Sequence, residues 1–208
     1  MRSKVGLIAV AVAIFLAASP TLFSQAEPSA IGPGGQPLSV GAGLSINFLD
    51  YAEGSTMMGI AAWADWSCFR SPGWLRRAAL EASGRDVNWA RPQQFPTMRL
   101  DSIQGGIKYT IMEGSRYRFY AKGLGGVGSM DVPPGVLTFN HKTQGIFSIG
   151  EGLDFRLNRV LTLNVDEETQ IWRKFFDHGS NLTPSALTVG ISYTFGRKGR
   201  GQRVDFGN

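Results

Sequence analysis

Two stretches at opposite ends of the chain alternate apolar with small or polar residues at a period of two. No other feature of the sequence restricts the fold as much. Leu38, Val40, Ala42, Leu44, Ile46 and Phe48 share one parity, with Ser39, Gly41, Gly43, Ser45 and Asn47 between them. Leu187, Val189, Ile191, Tyr193 and Phe195 repeat the pattern against Thr188, Gly190, Ser192 and Thr194. A strand throws successive side chains to opposite faces, so each stretch reads as a strand that is apolar on one side only. Six further segments carry the signal, near residues 57–68, 74–84, 98–112, 116–129, 144–157 and 159–173. Trp74–Ser83 would also tolerate a helix, but a strand there keeps the meander intact. The chain thus reads as all-β, with eight strands.

The connections choose among all-β folds. Short links near residues 70–73, 113–116 and 157–159 carry Gly, Pro, Asn and Ser, the residues of tight turns. Longer links fall at 50–56, 85–97, 132–143 and 175–184, so short and long alternate along the whole chain. That sorting predicts an eight-stranded antiparallel up-and-down transmembrane β-barrel over residues 38–195, with short periplasmic turns and longer external loops. In lipid every backbone polar group must be paired, which requires the sheet to close. The 27 glycines among 208 residues fit a narrow lumen, where small residues make room for large ones. Phe48, Tyr51, Trp66, Trp74, Tyr109, Phe155, Tyr193 and Phe195 fall near strand ends, where aromatic rings suit the two membrane interfaces. The alternation fits a second arrangement equally well. A soluble barrel could turn the same apolar parity inward around a hydrophobic ligand.

Arg2 and Lys4, an apolar run from Val5 to Ala18, Pro20, and small residues at Ser24 and Ala26 predict a secretory signal peptide over 1–26, cut before Glu27. Residues 27–37 are a lead-in, and 196–208 a basic periplasmic tail with Arg197, Lys198, Arg200 and Arg203. The formal charge of +5 includes Arg2 and Lys4, so it does not argue for nucleic acid. A single cysteine, Cys68, excludes an intrachain disulfide, and with only two histidines it leaves no ordinary zinc site. The glycine run Gly123–Gly128 has no following helix to offer a phosphate, so no cofactor is expected.

A secretory signal, eight alternating strands and the closing strand Leu187–Phe195 together resemble the OmpA-like small outer-membrane β-barrel family. The resemblance implies an outer-membrane location and outer-membrane lipid as a partner. It also implies a final-strand signal, here Tyr193 and Phe195, read by the barrel-assembly machinery. The chain departs from the family in carrying residues 196–208 beyond that signal.

Parity places Glu81, Lys108, Arg118, Lys122, Asp154, Arg156, Asp166 and Glu168 in the lumen, with Arg77 near the rim. Charges of both signs in a narrow interior predict a paired network. Glu151 and Glu167 carry the opposite, lipid-facing parity. Either a bulge at Gly150–Gly152 turns Glu151 inward, which is the simpler explanation, or this face packs against a partner. Long external loops on a rigid scaffold suit recognition, and Arg85, Asp86, Trp89 and Arg91 are the candidate contact residues. The expected role is structural or surface-interacting, ahead of a narrow pore. A lipid-modifying hydrolase comes third. His178, Gly179, Ser180 and Asn181 are similar to the His-x-Ser-Asn motif of outer-membrane lipid A deacylases. By that resemblance His178 would be base and Ser180 nucleophile, but the following strand holds no acid to orient the histidine, so no enzyme is expected.

Overall fold

The computed structural model describes residues 38–49, 56–67, 74–89, 98–132, 140–176 and 179–195. The eight strands are β1 (Leu38–Phe48), β2 (Thr56–Trp66), β3 (Ala78–Trp89), β4 (Arg99–Glu113), β5 (Tyr117–Asp131), β6 (His141–Arg156), β7 (Leu161–Trp172) and β8 (Ser185–Phe195). Each pairs antiparallel with its sequence neighbours, and β1 closes on β8 with Leu38 opposite Phe195 and Phe48 opposite Ser185. Among the described residues the sheet is a closed up-and-down barrel. The signal segment 1–26, the lead-in 27–37, the tail 196–208, Tyr51, Arg91 and His178 lie outside the described residues.

The apolar parity faces outward. Leu44, Ile60, Ile103, Ile149 and Ile191 are all more than half exposed, while Ser45, Gln104, Lys108, Asp154, Asp166 and Glu168 are buried. A continuous apolar outer wall is stable against lipid and would aggregate in water. The soluble, inward-apolar arrangement is therefore not the one adopted. Glycines on the inner face admit the large lumen side chains. A Cβ at Gly41 or Gly190 would overlap the Trp63 ring, and one at Gly128 would overlap Trp172.

Two local readings change. Trp74–Arg77 is a short 3-10 turn, and β3 begins only at Ala78. The consecutive Arg76 and Arg77 explain this, because a strand would aim one of them into lipid. At its other end β3 runs on to Trp89, so Arg85 and Asp86 are strand residues.

Strand lengths reveal an extension. β1, β2 and β8 each have 11 residues, enough to span a bilayer, whereas β4 and β5 have 15 and β6 has 16. At the external ends of β3 to β6 the polarity of the two faces inverts. Asp86, Arg99, Asp101, Ser129, Asp131, His141 and Thr143 point outward, while Val87, Leu100, Met130 and Ile146 point inward and are buried. The outward groups bond to one another. Arg99 reaches Asp86 at 2.9 Å and Asp101 at 3.1 Å, His141 lies 2.5 Å from Asp131, and Thr143 donates to Ser129 at 3.1 Å. A polar exterior around an apolar interior suits water rather than hydrocarbon.

Glu151 and Glu167 contradict the expected bulge. The β6 register is unbroken past Gly150 and Gly152, and Glu151 pairs directly with Glu167 across to β7. The only register shift of the barrel's described ladders is at Thr110/Met112. Both side chains share the outward parity, and Glu151 lies four residues from each of the outward aromatics Phe147 and Phe155 along β6. Like charges placed opposite each other on a lipid-facing surface are unfavourable twice over. Replacing both by leucine is expected to stabilise the folded barrel by about 1–3 kcal/mol. Urea unfolding in lipid vesicles would measure this. A loss of stability instead would mean that the pair does not face hydrocarbon.

Candidate functional site in the barrel lumen

The lumen has two layers. The periplasmic side is ionic, because β2 to β7 aim charged residues inward at neighbouring register positions. Lys122 sits at its centre, with Nζ 3.1 Å from Glu81, 2.9 Å from Asp166 and 3.2 Å from Glu168. Arg85 faces Glu168 through both oxygens, at 3.1 and 3.4 Å, and Gln104 and Gln170 donate to the same carboxylate at 3.0 and 3.2 Å. The Tyr120 hydroxyl donates to Asp166 at 2.9 Å. Toward the periplasm, Lys108 lies 2.9 Å from Asp65 and 3.8 Å from Asp154, with its ammonium 3.8 Å above the Tyr120 ring. Arg118 and the Asn164 amide both donate to Asp154. Buried charges are tolerable only when paired, and each of these has an ion-pair partner, although Asp65 Oδ1 and Arg85 Nε are left without a hydrogen bond.

The external side is apolar. Met57, Val87, Leu100, Met130, Ile146 and Trp172 point inward from the strands. Leu49, Met98, Val132, Phe175 and Leu182 close over them from the strand ends and loops. Trp172 is 0% exposed, stands edge-on to Phe175 with ring centroids 5.7 Å apart, and donates its indole N–H to Gln170 at 3.0 Å. That last bond ties the apolar layer to the ionic one. The gap within the ionic layer beside Arg85, Gln104 and Lys122 measures about 30 Å³, room for only one or two waters.

The structure brings Glu81, Lys108, Arg118, Lys122, Asp154, Asp166 and Glu168 together, and it adds Asp65, Arg85, Gln104, Tyr120 and Gln170. Arg156 is not in this network. It sits at the periplasmic rim, donating to the Ser115 carbonyl at 3.3 Å and lying 3.6 Å from Glu113. The loop set is dispersed. Arg85 is a lumen residue, 9% exposed, Asp86 belongs to the outer polar wall, Trp89 ends β3, and Arg91 lies outside the described residues. Arg85 shares parity with Glu81 and Ser83, and that parity is the signal that could have placed it. The connection expected over 85–97 takes in Arg85, and the continuation of β3 to Trp89 removes it from that loop. Ser180 lies in the β7–β8 connection, where its carbonyl accepts from Phe176 at 3.2 Å. Tyr193 and Phe195 pack together at the end of β8, ring centroids 4.7 Å apart.

No protein-family model and no curated protein sequence matches the chain. Solved structures do. Neisserial surface protein A (NspA) superposes with a TM-score of 0.60 at 12% identity, over 76% of this chain and 97% of that one. Ail, the attachment invasion locus protein of Yersinia pestis, superposes at 0.51 with 11% identity, over 77% of this chain and 99% of that one. Ail in complex with the heparin analogue sucrose octasulfate superposes at 0.52. The fold is that of the small outer-membrane β-barrels. Within that fold, this barrel combines an ionic core with an apolar layer at its external end.

Proposed function

We propose that the chain is a bacterial outer-membrane surface protein. Its β3–β6 wall projects from the membrane as the recognition surface, and its lumen is closed. The observation that carries this reading is the polarity inversion above the lipid. Only a wall standing in water has reason to turn Asp86, Arg99, Asp101, Asp131 and His141 outward while packing Val87, Leu100 and Met130 inside. The recognition surface is therefore rigid sheet topped by the external loops, a more exact scaffold than loops alone. Ail, with the same fold, was solved in complex with the heparin analogue sucrose octasulfate, which is compatible with a surface-recognition role here; fold does not carry function. Outer-membrane lipid and the barrel-assembly machinery, reading Tyr193 and Phe195, are the partners this reading implies.

The alternative role, a narrow pore, fits less well, because an apolar constriction excludes water and ions. In planar bilayers the purified barrel is expected to give no steady conductance, and regular channel openings would overturn the closed-lumen reading. Cysteines introduced at Asp101 and His141 should react with a membrane-impermeant maleimide on intact cells. A cysteine at Ile103, just below the inversion, should not. Equal labelling of all three would place the membrane boundary elsewhere.

A further inference from the structure

The periplasmic mouth of the barrel opens into a vestibule of about 110 Å³ that the closed-lumen reading leaves unused. Four of the side chains lining it are cations, Lys108, Arg116, Arg118 and Arg156, against two carboxylates, Asp65 and Asp154. Lys108 and Arg118 are engaged with those two acids at the vestibule floor. Arg116 and Arg156 stand opposite each other at the rim, where the Arg156 backbone N–H donates to the Arg116 carbonyl at 2.8 Å. Like charges directly across a strand pair repel; Arg156 already reaches the Ser115 carbonyl and lies 3.6 Å from Glu113, and an anion between the two guanidiniums can be held by both. Hydroxyls line it as well: Thr162, the cross-strand neighbour of Arg156, and Ser39 and Thr194. A carboxylate would be saturated by one guanidinium, whereas a tetrahedral oxyanion has oxygens for several guanidiniums and for hydroxyl donors as well.

A second observation points to more than an anion. The Asp65 side chain is only 9% exposed and lines the same vestibule, and its Oδ1 is buried without a hydrogen-bond partner, while Lys108 occupies Oδ2. An orphaned carboxylate oxygen asks for a donor. We infer that the vestibule is a binding site for a phosphate group carrying an N–H or O–H donor. Arg116 and Arg156 grip the phosphate oxygens, and Asp65 accepts from the donor. Two sources present that chemistry at this depth. One is the phosphoethanolamine headgroup of an inner-leaflet lipid. The other is a soluble periplasmic phosphate compound. The outward aromatic pair Tyr117 and Phe155, one register position from Arg116 and Arg156, puts the rim at headgroup level.

The inference rests on the membrane orientation proposed above, and the experiment separates the two. Full-length barrel is folded into phosphatidylcholine nanodiscs and titrated with phosphoethanolamine, phosphocholine and inorganic phosphate, with phosphorus NMR line broadening as the readout. Phosphoethanolamine is expected to bind more tightly than phosphocholine, which lacks a donor. The R116Q/R156Q pair is expected to weaken it at least about tenfold, the loss expected for charge-assisted hydrogen bonds. R76Q/R77Q removes the same charge from a turn outside the vestibule and should change nothing. D65N should erase the preference over phosphocholine. The same titration in phosphatidylethanolamine nanodiscs distinguishes the sources. Weakened binding of the soluble probe there assigns the site to the lipid, and unchanged binding assigns it to a soluble compound. Failure of the barrel to insert would refute the membrane reading. An inserted barrel that binds none of the probes, or binds them regardless of Arg116 and Arg156, would overturn this inference alone.

Discussion

Replacing Lys122 by methionine is expected to cost the folded barrel about 3–5 kcal/mol, the usual penalty for removing one member of a buried ion cluster. Lys122 faces three carboxylates, Glu81, Asp166 and Glu168, within 3.2 Å. Glu168, 1% exposed, keeps Arg85 and two amides, and Asp166 keeps the Tyr120 hydroxyl. Glu81 has no other ion pair within range among the described residues. The loss is therefore concentrated at Glu81, and the double variant K122M/E81Q should recover a large part of it. Urea unfolding in vesicles, followed by the gel shift between folded and heat-denatured barrel, would measure both. If K122M costs under about 1 kcal/mol, water must already solvate the ionic layer, against the packing seen there.

Trp172→Ala is expected to cost a comparable amount, about 3–5 kcal/mol, because truncating a fully buried aromatic leaves a cavity the barrel wall cannot close. It also removes the donor to Gln170. The indole is held on three sides: by the missing side chain at Gly128, by the edge of Phe175, and by the bridge in which Trp172 and Leu182 exchange backbone hydrogen bonds at 2.9 and 3.1 Å. The consequence for function is separate from stability. If the apolar layer is the seal, folded Trp172→Ala barrels should admit small ions in planar bilayers, while Trp172→Phe, which keeps a ring in place, should stay closed. Silent Trp172→Ala barrels would shift the seal down to the ionic layer.

Both predictions concern residues whose inward parity is legible in the sequence. Lys122 alternates with Ala121 and Gly123, and Trp172 with Ile171 and Arg173. What that parity means is not legible, because an alternating strand has two faces and no label on either. The ionic layer is close to legible, since Glu81, Lys108, Lys122, Asp154, Asp166 and Glu168 stand out as charges on the side opposite the long aliphatics. Asp65 and Arg85 share their parity too, but they sit among alanines or beside Gly84, where the apolar rhythm is weak.

The apolar layer is hidden for a different reason. Val87, Leu100, Met130 and Ile146 have the parity of the charges, so a rule assigning apolar residues outward misplaces them. The inversion itself is written in Arg99, Leu100 and Asp101, where the side facing out turns polar while the side facing in turns apolar. Its meaning depends on where the lipid ends, and that depth is a property of the assembled barrel. The bulge expected at Glu151 fails likewise, since only the pairing with β5 and β7 shows the register running straight through.

From local chemistry alone, the sequence determined the number of strands, the alternation of short and long connections, and which residues share a face. Turn residues and side-chain periodicity act within a few residues of each other. Closure of β1 on β8 decided the rest. It is a contact between positions more than a hundred residues apart, and it turns one face outward, brings charges from six strands within bonding distance, and packs Trp172 over them. None of those neighbours exists until the sheet has curled on itself.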